Sequence, residues 1–354
     1  MFSLRALTYL IAITLPITVA ISFLSSNAWT FFPVIYAFGV VPMLELFFKP
    51  SEKNLTTAER EIVRQDRTYD LLLYLMVPLQ WGFVLWFLLA MSTDELPTYA
   101  VVGRTLSLGM MCGVIGINVA HELGHRSSKF EQGLSKALLL SSLYLHFFIE
   151  HNRGHHRNVA THDDPATARK NEWVFLFWVR TIVLSWLHAW KLERTRLQRT
   201  NTPVVSLHNE MLRFQLIQLV LLGTLFFFAG GYVMLLFVGA AATGMLLLET
   251  VNYIEHYGLL RQKRNNGKYE RVMPVHSWNS NHVVGRLMLF ELSRHSDHHY
   301  KASTPYHLLS HIDEAPQLPT GYPGMMLLSL FPPLFFHMMN KRVEGLQDKS
   351  EVPS

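Results

Sequence analysis

Six apolar runs, at about 4–24, 29–48, 71–91, 99–120, 212–229 and 231–249, constrain this chain more than any other feature. A helix needs about 20 consecutive apolar residues to cross a hydrocarbon core of roughly 30 Å, and the first four runs reach that length. Half of the 354 residues are apolar, a share that would also suit a large soluble core. Their concentration into runs with almost no charge is what points to a membrane. The expected fold is an all-α integral membrane protein with six transmembrane helices. No repeat, low-complexity tract or Pro- or Ser-rich linker divides it, so residues 1–354 read as a single membrane domain. The first run begins near Arg5, but no cleavage site precedes a soluble stretch, so it reads as a retained span and not a signal peptide. Arg104, a lone charge near one end of the fourth run, reads as a snorkelling side chain.

Loop charges orient the spans, because Lys and Arg beside a span resist translocation. Lys49, Lys53, Arg60, Arg64 and Arg67 crowd the segment between the second and third runs, whereas residues 92–98 carry Asp94, Glu95 and no base. With six spans, both ends and the segments 121–211 and 250–340 fall on the cytoplasmic side, followed by a short tail, 341–354. The net charge of +5 then follows from topology and anionic membrane lipid, and no nucleic-acid module is visible. The stretches 134–149 and 173–190, apolar but interrupted by Lys136, His146, Arg180 and His188, are expected as helices in or near the interface. Cys112, the single cysteine, excludes a disulfide within the chain and a cysteine-rich metal site.

The chain carries 18 histidines, and nine of them fall into four groups. They are His121 and His125 in HELGH, His151, His155 and His156 in HNRGHH, His256 in NYIEHYGL, and His295, His298 and His299 in RHSDHH. Histidines four apart share a helix face, and a doublet adds a second imidazole about 100° round the helix. Imidazole suits Zn, Cu, Fe and Ni, and so many donors exceed one tetrahedral site twofold, so two metals are expected. HELGH by itself fits the H-E-x-x-H signature of zinc proteases, which would use His121, Glu122 and His125 and leave the other groups idle. A set dominated by imidazole, unlike the carboxylate-rich sites of di-iron helical bundles, suits iron with positions open to dioxygen.

The strings HELGHR, FFIEHNRGHHRNVAT, DDPATAR, NYIEHYGLLRQK, HSWNSNHVVG and LSRHSDHHYKASTPY closely resemble the AlkB-type alkane 1-monooxygenases, integral-membrane non-haem di-iron hydroxylases. The resemblance runs from about residue 30 to about 340. It implies that His121, His125, His151, His155, His156, His256, His295, His298 and His299 ligate two iron ions; His256 joins the set through the resemblance, since spacing alone leaves eight. It also implies hydroxylation of the terminal methyl of medium- to long-chain n-alkanes with dioxygen, in a bacterial inner membrane with the site facing the cytoplasm. Two electrons would come from rubredoxin, reduced by an NADH-dependent rubredoxin reductase, since the chain has no nucleotide-binding glycine motif and no four-cysteine site. Related alternatives are a hydroxylase of the xylene monooxygenase type and a fatty-acyl desaturase.

Glu122, Glu150, Glu255 and Asp297 each neighbour a proposed ligand and are candidates to accept a ligand ring N–H. Asp163 and Asp164, before Pro165, read equally as a helix cap or turn and as catalytic residues. His276 and His282 belong to the family wording but lack partner groups, and hydrogen bonding or docking of the electron partner is expected of them in place of ligation. The family limits substrate length with a bulky residue on the second span, where this chain has Ala37 beside Phe38, so both are substrate-channel candidates. The basic run Arg261, Lys263, Arg264 and Lys268 is the candidate rubredoxin docking face.

Overall fold

The computed structural model describes residues 4–351, and two isolated bridges, Lys263 to Tyr269 and Asn279 to Gln317, are the β-pairing among the described residues. Everything else regular is helical. Among the described residues five helices are long and apolar enough to cross a membrane: Arg5–Leu24, Ala28–Phe47, Thr68–Thr93, Thr98–Gly124 and Glu210–His256. The first four coincide with the first four apolar runs. The fifth has 47 residues; at 1.5 Å per residue it would be about 70 Å long if straight, more than twice a hydrocarbon core. It is not straight. Gly230 leaves helical geometry at φ 83° and ψ 160°, a region closed to side chains with a Cβ. The break divides the helix into two arms that match the runs 212–229 and 231–249.

Local chemistry sets where helices begin. Asn27 accepts the N–H of Trp29, and Asn209 that of Leu212. Thr56 and Glu59 form a reciprocal capping box. Each arrangement satisfies a donor that a helix start leaves unpaired.

Thr98–Gly124 is the most enclosed of the five helices. Gly109 and Gly113, four residues apart on its face, meet Thr243 and Leu247, and a Cβ on Gly244 would stand 2.6 Å from the Cβ of Cys112. In a lipid-like surround, association depends on such close backbone approach. Cys112 is buried in this seam and serves packing. Leu71, Leu85 and Leu89, and Leu219, Val220 and Phe227, remain exposed on the outward faces of their helices. Arg104 departs from the snorkelling expectation. It is buried, donates to Asp94 at 2.7 Å and to the Ser25 carbonyl at 2.8 Å, and so ties the ends of three helices together.

Three π-helical turns interrupt the α-helical ladder, at Tyr36–Val40, Cys112–Ile117 and His151–His155. Each inserts an extra residue per turn and so redirects every later side chain on its helix. The stretch 134–149 is not one helix: Lys129–Ser141 ends, Leu143 adopts φ 53°, and a new helical stretch begins at Phe147. The stretch 173–190 lies within the helix Val174–Arg199, whose outer face exposes Leu176, Val179, Val183 and Leu187. The helix Pro332–Glu351 runs through most of the stretch read as a tail, and residues 352–354 lie outside the described residues.

Candidate metal centre

The grouped histidines stand where apolar helices end. His121 and His125 occupy the last turn and cap of Thr98–Gly124, and His256 is the final residue of Glu210–His256. His151 and His155 bound the third π turn with His156 just after it, and His295, His298 and His299 share the short helix His295–Tyr300. These ends converge and sort the nine histidines into two clusters. His121, His125, His151, His156 and His298 form one, and His155, His256, His295 and His299 the other.

In both clusters the rings present Nε2 inward. The Nε2 atoms of His125, His151 and His156 form a triangle with sides of 3.1, 3.2 and 3.0 Å, and His298 adds contacts of 3.0 Å to His121 and 3.1 Å to His156. In the second cluster His299 lies 2.9 Å from His295 and 3.2 Å from His155, and His256 lies 3.1 Å from His295. A neutral imidazole nitrogen offers one N–H or one lone pair. Three such atoms in a triangle cannot satisfy one another by hydrogen bonding; one central cation satisfies all three. At metal–nitrogen distances of about 2.0–2.1 Å, ligands about 90–100° apart stand roughly 3 Å from each other. The donor spacing therefore fits a metal ion in each cluster. The rings of His156 and His299, one from each cluster, are 4.5 Å apart between centroids, so the two sites abut.

Burial acts in the same direction. Desolvation, then the charge of neighbouring imidazoles, pushes His125, His151, His156, His295, His298 and His299 well below the usual histidine range. Neutral rings with free lone pairs are what a metal requires. His155 is different: burial lowers it, but the charge and hydrogen bond of Asp164 together with the charges of Glu150 and Glu249 hold it above the ordinary value.

His155 Nδ1 donates to Asp164 Oδ2 at 3.0 Å. The same oxygen accepts the Thr167 hydroxyl at 2.6 Å, while Asp164 Oδ1 accepts the N–H of Ala166 at 3.2 Å. Asp164 is therefore both the turn residue and the carboxylate that orients a cluster ring. Among the described residues no other cluster histidine has a carboxylate on Nδ1. Only the string DDPATAR hinted at it, and the turn reading absorbed that hint.

The adjacent carboxylates behave otherwise, and none of the four is shown accepting an outward ring N–H of a cluster histidine. Glu122 accepts from Arg126 at 2.9 Å and from the N–H of Tyr306 at 3.2 Å. Glu150 pairs with His188 at 3.1 Å, and Asp297 accepts the N–H of Ser310 at 2.8 Å. A residue beside a ligand points about 100° away from it round the helix, into a neighbouring element. Glu255 does reach a cluster. It accepts the Tyr322 hydroxyl on Oε1 at 2.7 Å, and its Oε2 lies 3.2 Å from His295 Nε2, the inward atom. It stands among the donors and not behind them. His276 pairs with Glu270 and His282 with Ser280, outside both clusters.

An apolar cavity of about 70 Å³ lies beside the clusters, with Leu15, Ala37, Phe38, Val41, Val114 and Met288 in its wall. Asn118, Leu248, Val251 and Leu292 border both it and a smaller space lined by His121, His151, Glu255 and His295. These four side chains stand between the apolar cavity and the imidazoles. Ala37 and Phe38 come from the first π turn, and Val114 from the second.

The candidate docking run divides. Arg261 is buried and donates to the carbonyls of Arg157 at 2.9 Å and Glu270 at 3.2 Å, so it is a structural clamp and not a docking residue. Lys263, Arg264 and Lys268 are exposed on a tight turn closed by Arg264 N–H to Lys268 O at 2.9 Å.

Apolar membrane-length helices that end in two abutting imidazole clusters define a multi-pass membrane protein of the histidine-box class. The fatty acid desaturase family model matches residues 97–329. Alkane 1-monooxygenase 1 of Alcanivorax borkumensis is 40% identical over 317 residues, 90% of this chain and 78% of the relative. The alkane 1-monooxygenase of Pseudomonas putida is 40% identical over 306 residues, 86% of this chain and 76% of the relative. The hydroxylase component of the xylene/toluene monooxygenase of Pseudomonas putida is 28% identical over 277 residues, 77% and 73% of the two chains. The chain belongs to the fatty acid desaturase family and, within it, to the alkane 1-monooxygenases.

Proposed function

We propose that this protein is an alkane 1-monooxygenase that converts the terminal methyl of a medium- to long-chain n-alkane to the primary alcohol. The observation that carries the reading is the apolar cavity one layer of side chains away from the space that the cluster histidines line. An alkane offers no group to hydrogen-bond, so a binding site for it needs shape and dryness alone. The nine clustered histidines would hold two iron ions, five donors around one and four around the other. Iron bound there would supply the activation of dioxygen; the chain itself holds the donors, excludes water and presents the end of the substrate. The reaction takes up one dioxygen, two electrons and two protons and gives one alcohol and one water.

Six crossings are supported by the break at Gly230, which gives the last long helix two arms. The basic segment 49–67 supports a location of the clusters on the cytoplasmic side of a bacterial inner membrane. The electrons come from rubredoxin, with an NADH-dependent rubredoxin reductase upstream. A zinc protease is disfavoured because it would use His121, Glu122 and His125 and leave the other clustered histidines, among them the whole four-histidine cluster, without a role.

The test is product analysis with iron-loaded protein, n-decane, rubredoxin, reductase and NADH. Formation of 1-decanol is expected. An inactive preparation with full iron content that instead desaturates an acyl chain would replace this reading with the desaturase one.

A further inference from the structure

We propose that the electron carrier docks on an exposed apolar patch centred on Tyr300, Met273 and Val275, with the basic turn at its rim. The inference rests on the monooxygenase reading and assigns the surface that serves it. Between residues 257 and 321, where no helix is long and apolar enough to cross a membrane, the exposed large apolar side chains are Leu260, Met273, Val275 and Tyr300. Lipid does not account for apolar exposure there, and such patches mark interaction sites.

Three of the four are gathered in one place. Arg271 lies over the ring of Tyr300 at 5.4 Å, and the short turn Pro274–His276 packs on the helix His295–Tyr300. Tyr300 directly follows His299, whose ring contacts that of His156, one of the two partly exposed cluster histidines. The patch therefore sits on the short helix that carries three of the cluster histidines. Around it Arg157, Lys263, Arg264, Lys268, Arg271 and Lys301 are exposed. Glu270, the one acid between 257 and 290, is turned inward to the N–H of Gln262 and to His276. An apolar centre within a basic rim fits an acidic carrier with an apolar contact face, brought in by charge and seated by Tyr300. Delivery of two electrons by a one-electron carrier takes two visits per turnover, so the complex must also dissociate quickly.

The experiment measures rubredoxin-driven hydroxylation of n-decane by iron-loaded wild type, Tyr300→Ala, and Arg271→Glu combined with Lys301→Glu, at several salt concentrations. Reduction of the same preparations by dithionite, which needs no docking, is followed by absorbance. The charge reversal is expected to raise the KM for rubredoxin about tenfold at low salt and flatten its salt dependence, and Tyr300→Ala to raise KM about tenfold at all salts. Iron content and reduction by dithionite stay at wild-type level. Unchanged KM in both variants overturns the surface while leaving the function intact. A wild type that makes no decanol with rubredoxin but is reduced by dithionite overturns the function first. If Tyr300→Ala loses iron, the charge-reversed variant decides alone, since Arg271 and Lys301 are exposed.

Discussion

Asp164 holds His155 from behind: the ring donates Nδ1–H to the carboxylate at 3.0 Å and turns Nε2 toward His299. Asp164 lies in a loop nine residues beyond its partner, and both side chains are buried.

That hydrogen bond sets the ring's tautomer, so Asp164→Asn should weaken the four-histidine cluster. Loss of such a partner lowers metal affinity about 10–100-fold. Metal analysis after dialysis against a chelator should show one of the two bound metals released first. Equal loss of both would contradict the assignment.

Acid should release metal and destabilise the protein. His125, His151, His156, His295, His298 and His299 have folded-state values well below the usual one, through burial first and neighbouring imidazoles second. The unfolded chain therefore binds more protons in the window below about 6.5. Their contribution is present above that value and is lost as pH falls through it. Thermal melting of the apo protein at pH 7.5 and 5.5 should show the lower midpoint at 5.5; an unchanged midpoint would mean that these rings are solvated.

Ala37 stands in the cavity wall within a π turn, beside Phe38. Ala37→Trp fills the space ahead of it and should move the product profile toward shorter alcohols, with iron content unaltered. Competition among n-alkanes of different length, read by gas chromatography, measures the shift.

Gly109 meets the side chain of Thr243 across the central helix seam. Gly109→Ala should destabilise the fold by about 1–3 kcal/mol, the usual cost of overpacking. Adding Thr243→Gly removes the colliding atoms and should recover part of that loss, less the roughly 1 kcal/mol a helical glycine costs. A double-mutant cycle by thermal melting in detergent checks the sign of the coupling.

The apolar runs and the histidine spacing were legible because both are local. A span is a property of consecutive residues, and an i, i+4 pair shares a face whatever the rest of the chain does. Hence the apolar runs on either side of residue 230 and eight of the clustered histidines could be read directly, with His256 supplied by resemblance. The tertiary structure alone decided how the nine sort into five and four, since that depends on where four separate helix ends meet. It alone moved the orienting role from Glu122, Glu150 and Asp297 to Asp164, because side-chain direction turns by about 100° per residue while a loop can bring back a carboxylate from elsewhere. It also withdrew Arg261 from the surface and gave Arg104 two partners, for a buried guanidinium needs acceptors that only folding assembles.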